Sequence, residues 1–150
     1  MSSEKELEVY RQFTASQEKY DYFLMSVSGA SIAFAIHRTT GVSLDCSMVI
    51  LGVAVILWTV SFFAGCRRRA FITSTLYANC ELLRVQNGRH PEVGLHPERI
   101  AAASEGISKA CEFNSKRAVQ WANVQLYSLI LGALFFIVWH VTDMAKLGNL

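Results

Sequence analysis

The chain is short of most features on which soluble catalysts are built. It has two prolines in 150 residues, Pro91 and Pro97, so little elsewhere would interrupt long helices. Its four cysteines, Cys46, Cys66, Cys80 and Cys111, show no Cys-x-x-Cys spacing. That spacing gives no sign of a zinc site or a disulfide framework, and the thiols read as small buried hydrophobes. There is no Gly-rich phosphate loop and no nucleophile beside a base. His90-Pro91 and His96-Pro97 lie in a loop, outside the i, i+4 geometry of helical metal pairs. The sequence therefore predicts a non-enzyme, with no catalytic, cofactor-binding or metal-binding residues. A net charge of +2 is too small, and too little interleaved with aromatics, for a nucleic-acid partner.

Charge is also missing locally, and there the absence is informative. Tyr22–Ile36, Cys46–Gly65 and Val124–Trp139 contain no Asp, Glu, Lys or Arg. A helix crossing the hydrocarbon core needs about 20 apolar residues, with about 17 a usual lower limit. The second run meets that length, and the third does so if it continues through Val141. The first has fifteen residues and needs Tyr20, Tyr22, His37 and Arg38 in the interfaces to extend it; a run of that length also suits a buried core helix. The first 20 residues are polar and carry Glu4, Glu6, Glu8 and Glu18, unlike the basic start of a signal peptide.

What is present sets the fold. Ser3-x-x-Glu6 matches a helix-starting capping box. The expected class is all-α: a three-span transmembrane helical bundle, up-down-up, extended into a coiled-coil-like cytoplasmic bundle. Helix 1 is expected over 4–38 with a span at 22–37, and helix 2 over 45–87 with a span at 46–65. An inner turn at 88–97 follows, and then helix 3 over 97–146 with a span at 124–142. Twelve of the fourteen Lys and Arg residues fall before the first run or between the second and third. By the positive-inside rule that places the N-terminus in the cytoplasm and the C-terminus outside an inner (plasma) membrane. Arg67-Arg68-Arg69 is the strongest orientation signal and reads as a cytoplasmic anchor at lipid headgroups.

Small residues mark candidate packing faces. Ser26, Gly29 and Ala33 share one side of the first span; Ser28, Ser31 and Ala35 share another. Ser128 and Gly132 supply a further close-approach site in the third, because helices in lipid associate through small residues and mild polar contacts. Ser28, Ser31, Thr59 and Ser61 are the polar groups available to line a path. Beyond the spans, heptad-like seams are expected at Tyr10, Phe13, Gln17, Tyr20 and Leu24; at Ile72, Leu76, Asn79, Leu83 and Gln86; and at Ile100, Ala103, Ile107, Ala110, Asn114 and Trp121. Asn79 and Asn114 are candidates for a shared buried polar layer. At the outer ends His37, Arg38, Asp45, His140 and Asp143 form either a ring of charge or ordinary interfacial residues.

The tight hydrophobic hairpin Tyr22–Gly65, the Arg67-Arg68-Arg69 stop and the modest cytoplasmic helical region resemble the small multi-span membrane effectors of bacterial antiviral defence systems. That resemblance implies an oligomer that perturbs or permeabilises the inner membrane under the control of its cytoplasmic part. A scaffold or accessory subunit that anchors a cytoplasmic protein partner is the alternative, and a small channel or transporter component a third. The expected partners are the lipid bilayer, further copies of the chain and a cytoplasmic protein.

Overall fold

The computed structural model of the protein describes residues 2–40 and 46–147. These residues form three helices, α1 (Ser2–Thr39), α2 (Cys46–Gln86) and α3 (Pro97–Leu147), with no strand among them. Their length follows from the lack of internal proline, and Pro97 takes the first position of α3, where its missing N–H costs nothing. α1 begins at Ser2, one residue ahead of the Ser3-x-x-Glu6 box. Asp45 lies outside the described residues.

The stop of α2 has a clear local cause. Gly88 adopts φ +64°, the left-handed conformation that favours glycine. Its N–H donates to the Val85 carbonyl at 3.0 Å, and the Arg89 N–H donates to the Arg84 carbonyl at 2.9 Å. This pair of bonds is the Schellman cap, which satisfies carbonyls left over at a helix C-terminus.

Two helices, α2 and α3, are long and apolar enough to cross a membrane. Only 33% and 22% of their most apolar stretches are buried, far less than in the core helix of a soluble protein. α1 falls short of the same test because its uncharged run has fifteen residues and the rest of the helix is polar.

The chain divides into two compact units: Met1–Gly65 with Val124–Leu150, and Cys66–Asn123. The core of the first unit is Ala35, Leu51, Ala54, Trp58 and Trp139. Contacts within it fix the local register. A side chain at Gly65 would meet Met25 and Gln125, Ser28 bonds to Ser61, and Gly132 lies under Trp58. Residue numbers thus rise along α1 while they fall along α2, and the same holds between α2 and α3. The surface of this unit is apolar: Phe34, Ile56, Phe63, Leu134 and Ile137 are each more than half exposed. Its interior holds Ser28, Ser61, Gln125 and Ser128 alongside alanines. Hydroxyls and an amide thus lie inside beside Leu51, Trp58 and Trp139 while large apolar side chains lie outside, which departs from the pattern of a soluble domain.

The second unit is a two-helix hairpin, and its packing differs from the expected seam. Phe71, Ile72, Thr75, Ala78, Leu82 and Val85 are buried or half-buried on α2 there, as are Arg68, Arg69 and Glu81, while Leu76, Asn79, Leu83 and Gln86 are exposed. The true seam is shifted by one residue, about 100° around the helix. On α3 the expected positions Ile100, Ala103, Ile107, Asn114 and Trp121 are half-buried, but Cys111 replaces the exposed Ala110. Of the expected α1 seam Leu24 is buried, whereas Tyr10, Phe13, Gln17 and Tyr20 are not packed: every residue from Glu4 to Tyr20 is exposed. Cys66 and Cys80 are exposed free thiols rather than buried hydrophobes, and Cys111 is half-buried.

Candidate functional site

The polar residues of the apolar runs converge on one layer of the first unit. Ser28 is fully buried on α1 and its Oγ lies 3.1 Å from Ser61 Oγ on α2. Ser61 Oγ donates across to the Gln125 carbonyl of α3 at 2.8 Å. Because the Ser61 proton goes to Gln125, its oxygen is the acceptor for Ser28. The single Ser28 proton is then shared between Ser61 and the Leu24 carbonyl, 2.9 Å away. Ser128 Oγ donates to the Val124 carbonyl at 2.6 Å and reaches the Gln125 carbonyl at 3.2 Å. One carbonyl on α3 therefore gathers hydroxyls from two helices, and a chain of hydrogen bonds links all three.

The Gln125 side chain sits at the centre of this layer and has 0% exposure. Neither its Oε1 nor its Nε2 has a hydrogen-bond partner among the described residues. A Cβ at Gly65 would approach Nε2 to 2.7 Å, so glycine there is what lets the amide lie against α2. An unpartnered buried amide is costly, about 1–3 kcal/mol by mutational measures. One turn below Leu24, Asp21 is also buried, at 4% exposure.

A second layer is aromatic. Gly132 is the flat seat for Trp58, whose ring atoms Cδ1 and Nε1 would lie 2.7 Å from any Cβ at that position. Phe136 packs against Trp58, Trp139 and Phe34 with ring centroids 5.5–5.9 Å apart, and His140 stacks on Phe136. The indole N–H groups of Trp58 and Trp139 are buried without acceptors among the described residues.

The remaining predicted residues are placed as follows. On α1, Ser28 and Ala35 are buried and Ser31 half-buried; Ser26 and Ala33 are exposed, and a Cβ at Gly29 would meet nothing within 4 Å. One of the two small-residue faces is thus filled within the chain and the other is open. Ser128 and Gly132 are both buried, Ser31 does not join the hydroxyl chain, and Thr59 turns back to the Val55 carbonyl. Asn79 accepts from Cys111 Sγ at 3.3 Å, not from Asn114, which lies one turn further along α3 and is half-buried. His37, Arg38 and His140 are exposed and Asp143 is half-buried, with no ion pair joining them among the described residues. Arg67 lies over the Phe71 ring at 5.3 Å, and Arg68 and Arg69 are half-buried. Among the described residues no three His, Cys, Asp or Glu side chains come together as a metal would require.

Sequence reasoning named Ser28, Ser61 and Ser128 but missed Gln125. Its signal was available: Gln125 is the one amide within the run Val124–Trp139, and it lies one turn before Ser128. No family model, curated protein or solved structure matches the chain.

Proposed function

We propose that the chain is a three-span integral membrane protein that works as a self-associating scaffold, holding a cytoplasmic protein at the inner (plasma) membrane. The observation that carries the membrane reading is the bond chain Ser28–Ser61–Gln125, which ties α1 to the two more apolar helices at one level. Large apolar side chains on all three helices stay exposed around it, Phe23 and Phe34 of α1 included. Exposed apolar bulk around an interior that holds hydroxyls and an amide is the arrangement that lipid stabilises and water does not. With three spans the registers support an up-down-up course, and the basic residues support a cytoplasmic N-terminus and an outer C-terminus. An external thiol reagent is then expected to label Thr40→Cys in intact cells. Labelling only after lysis would overturn the topology.

The scaffold reading is favoured over a pore because Ser28 and Ser61, the hydroxyls best placed to line a path, are fully buried within one copy and bonded to each other. Expression in bacterial cells carrying a voltage-sensitive dye is expected to leave the membrane potential unchanged. Rapid depolarisation would overturn the scaffold.

A second reading, an effector that perturbs the membrane once assembled, is favoured by a different observation. The unpartnered Gln125 amide is an energetic reason for the bundle to rearrange. On that reading depolarisation appears on expression and is abolished by Gln125→Leu.

A further inference from the structure

The second unit, Cys66–Asn123, carries its charge unevenly. It has nine Arg and Lys against five Glu, an excess of four. Between residues 70 and 111 four bases stand against four acids, so that stretch is neutral. Two of its pairs are joined, Arg84 with Glu81 at 2.7 Å and Lys109 with Glu105 at 2.6 Å. The whole excess therefore lies at the two ends of the unit, in Arg67-Arg68-Arg69 on α2 and Lys116-Arg117 on α3, with Glu112 the one acid beside them.

The hairpin gathers these two stretches into one band. Asn79 meets Cys111 across it at 3.3 Å. Counting from that contact toward the ends of the unit, Arg69 comes opposite Trp121 and Thr73 opposite Arg117. Within the band Arg68 and Arg69 are half-buried, and Lys116 pairs with Glu112 at 2.6 Å. Arg67 and Arg117 are exposed, and their contacts are to neutral groups. Arg67 lies over the Phe71 ring at 5.3 Å; Arg117 lies over the Phe113 ring at 5.3 Å, and its Nη1 donates to Gln120 Oε1 at 3.3 Å. A ring face steadies a guanidinium without neutralising it, so both charges stay available to an anion.

Position along each helix says which anion. By helical rise Arg67 lies about 3 Å past the end of the apolar run at Gly65, and Arg117 about 10 Å before the run that starts at Val124. In a membrane, headgroups occupy roughly 5–8 Å beyond the hydrocarbon on each side. Arg67 then sits among the phosphates, and Arg117 lies within about one Debye length, ~8 Å, of them. α1 would bring Glu18, Lys19 and Asp21 to the same membrane face, which lowers the excess from four to three.

We propose, on the membrane reading above, that Arg67 and Arg117 bind the phosphates of anionic phospholipids and gather such lipids around the hairpin. The planar donors of a guanidinium match two phosphate oxygens at once. A zwitterionic lipid offers the same phosphate but carries its own ammonium group, so the band favours lipids of net negative charge.

The full-length chain is purified in detergent and equilibrated with equal amounts of phosphatidylglycerol and phosphatidylcholine, and the retained lipids are counted by native mass spectrometry. Phosphatidylglycerol is expected to be retained over phosphatidylcholine by about tenfold or more. Arg67→Gln and Arg117→Gln should each weaken that preference about fivefold, the effect of one basic residue at an anionic surface. Arg67→Lys, which keeps the charge, should retain most of it, and Arg99→Gln, outside the band, should leave it unchanged. Equal retention of the two lipids overturns the proposal, as does a loss with Arg99→Gln as large as that with Arg67→Gln. Displacement of the lipid by millimolar inorganic phosphate also overturns it, since the site would then serve a soluble anion. Salt gives a second reading on the unsubstituted chain: the preference should collapse as salt rises, and one that survives molar salt removes its electrostatic basis. Flotation separates the two ideas. A chain that floats with membranes but shows no lipid preference refutes the lipid site alone, and one that does not float refutes the membrane reading as well.

Discussion

Gln125→Leu should stabilise the protein, although it removes a polar residue from a hydrogen-bonded layer. The layer uses the backbone carbonyl of Gln125, and the substitution leaves that carbonyl in place. The side-chain amide is fully buried, and both of its polar atoms lack partners among the described residues. Leaving such a group unsatisfied costs about 1–3 kcal/mol, and leucine of similar volume removes the cost. Against this stands shape: Gly65 lies close to Nε2, and fitting a branched side chain into a tight site costs up to about 1.5 kcal/mol. The net expectation is a gain of roughly 1 kcal/mol, and in its unfolded state the amide would find partners that leucine does not need. The assay is reversible unfolding in mixed micelles, followed by the fluorescence of Trp58, Trp121 and Trp139. A gain of that size multiplies the folded-to-unfolded ratio by about fivefold, since about 1.4 kcal/mol is tenfold. A loss of 1 kcal/mol or more would refute the reasoning, because it would mean that the amide holds a hydrogen bond in the folded protein.

Three further substitutions and one titration follow from the same geometry. Ser61→Ala removes the link between α1 and α3 and should cost about 0.6–1.7 kcal/mol, the range for single interhelical hydrogen bonds in membranes, in the same unfolding assay. Gly132→Leu drives a side chain into the space of Trp58 and should destabilise by about 1–3 kcal/mol. It should also shift tryptophan emission, and an unchanged spectrum with unchanged stability would count against the seat. Gly88→Ala forces a Cβ into a left-handed conformation at a cost of about 1 kcal/mol, so proteolysis within residues 87–96 should speed up. Glu112 is held below the ordinary carboxylate range by its hydrogen bond to Lys116 and by the charge of that lysine. Its support for α3 is therefore present above the ordinary carboxyl pKa and fades as pH falls through the lowered value. By NMR titration, Lys116→Met should return the Glu112 midpoint upward.

Much of the fold was readable because its causes are local. The apolar runs Cys46–Gly65 and Val124–Trp139, the scarcity of proline and the Asn87-Gly88 stop each act through the residues that carry them. The hydroxyl chain was half readable. Ser28, Ser61 and Ser128 stand out in apolar sequence, but which of them meet depends on the rotation of three helices about their axes. Ser31 and Thr59 looked equally eligible and are turned elsewhere. Gln125 was missed because a search for ionisable groups passes over a neutral amide. In lipid an amide is nearly as conspicuous as a charge, since there is no water to satisfy it.

The heptad seams show a different limit. Apolar residues of α2 recur at alternating steps of three and four along two stripes: Phe71, Thr75, Ala78, Leu82 and Val85, and Leu76, Cys80 and Leu83. Both satisfy the same periodicity, and the period says only that a stripe exists, not which neighbour it faces. What decides is the partner helix. α3 has one apolar seam beyond the span, and its outer face is occupied by ion pairs, so it can cover one stripe of α2 and no more. The other stripe is left bare, and so is the apolar side of Glu4–Tyr20. Two helices cannot bury three seams.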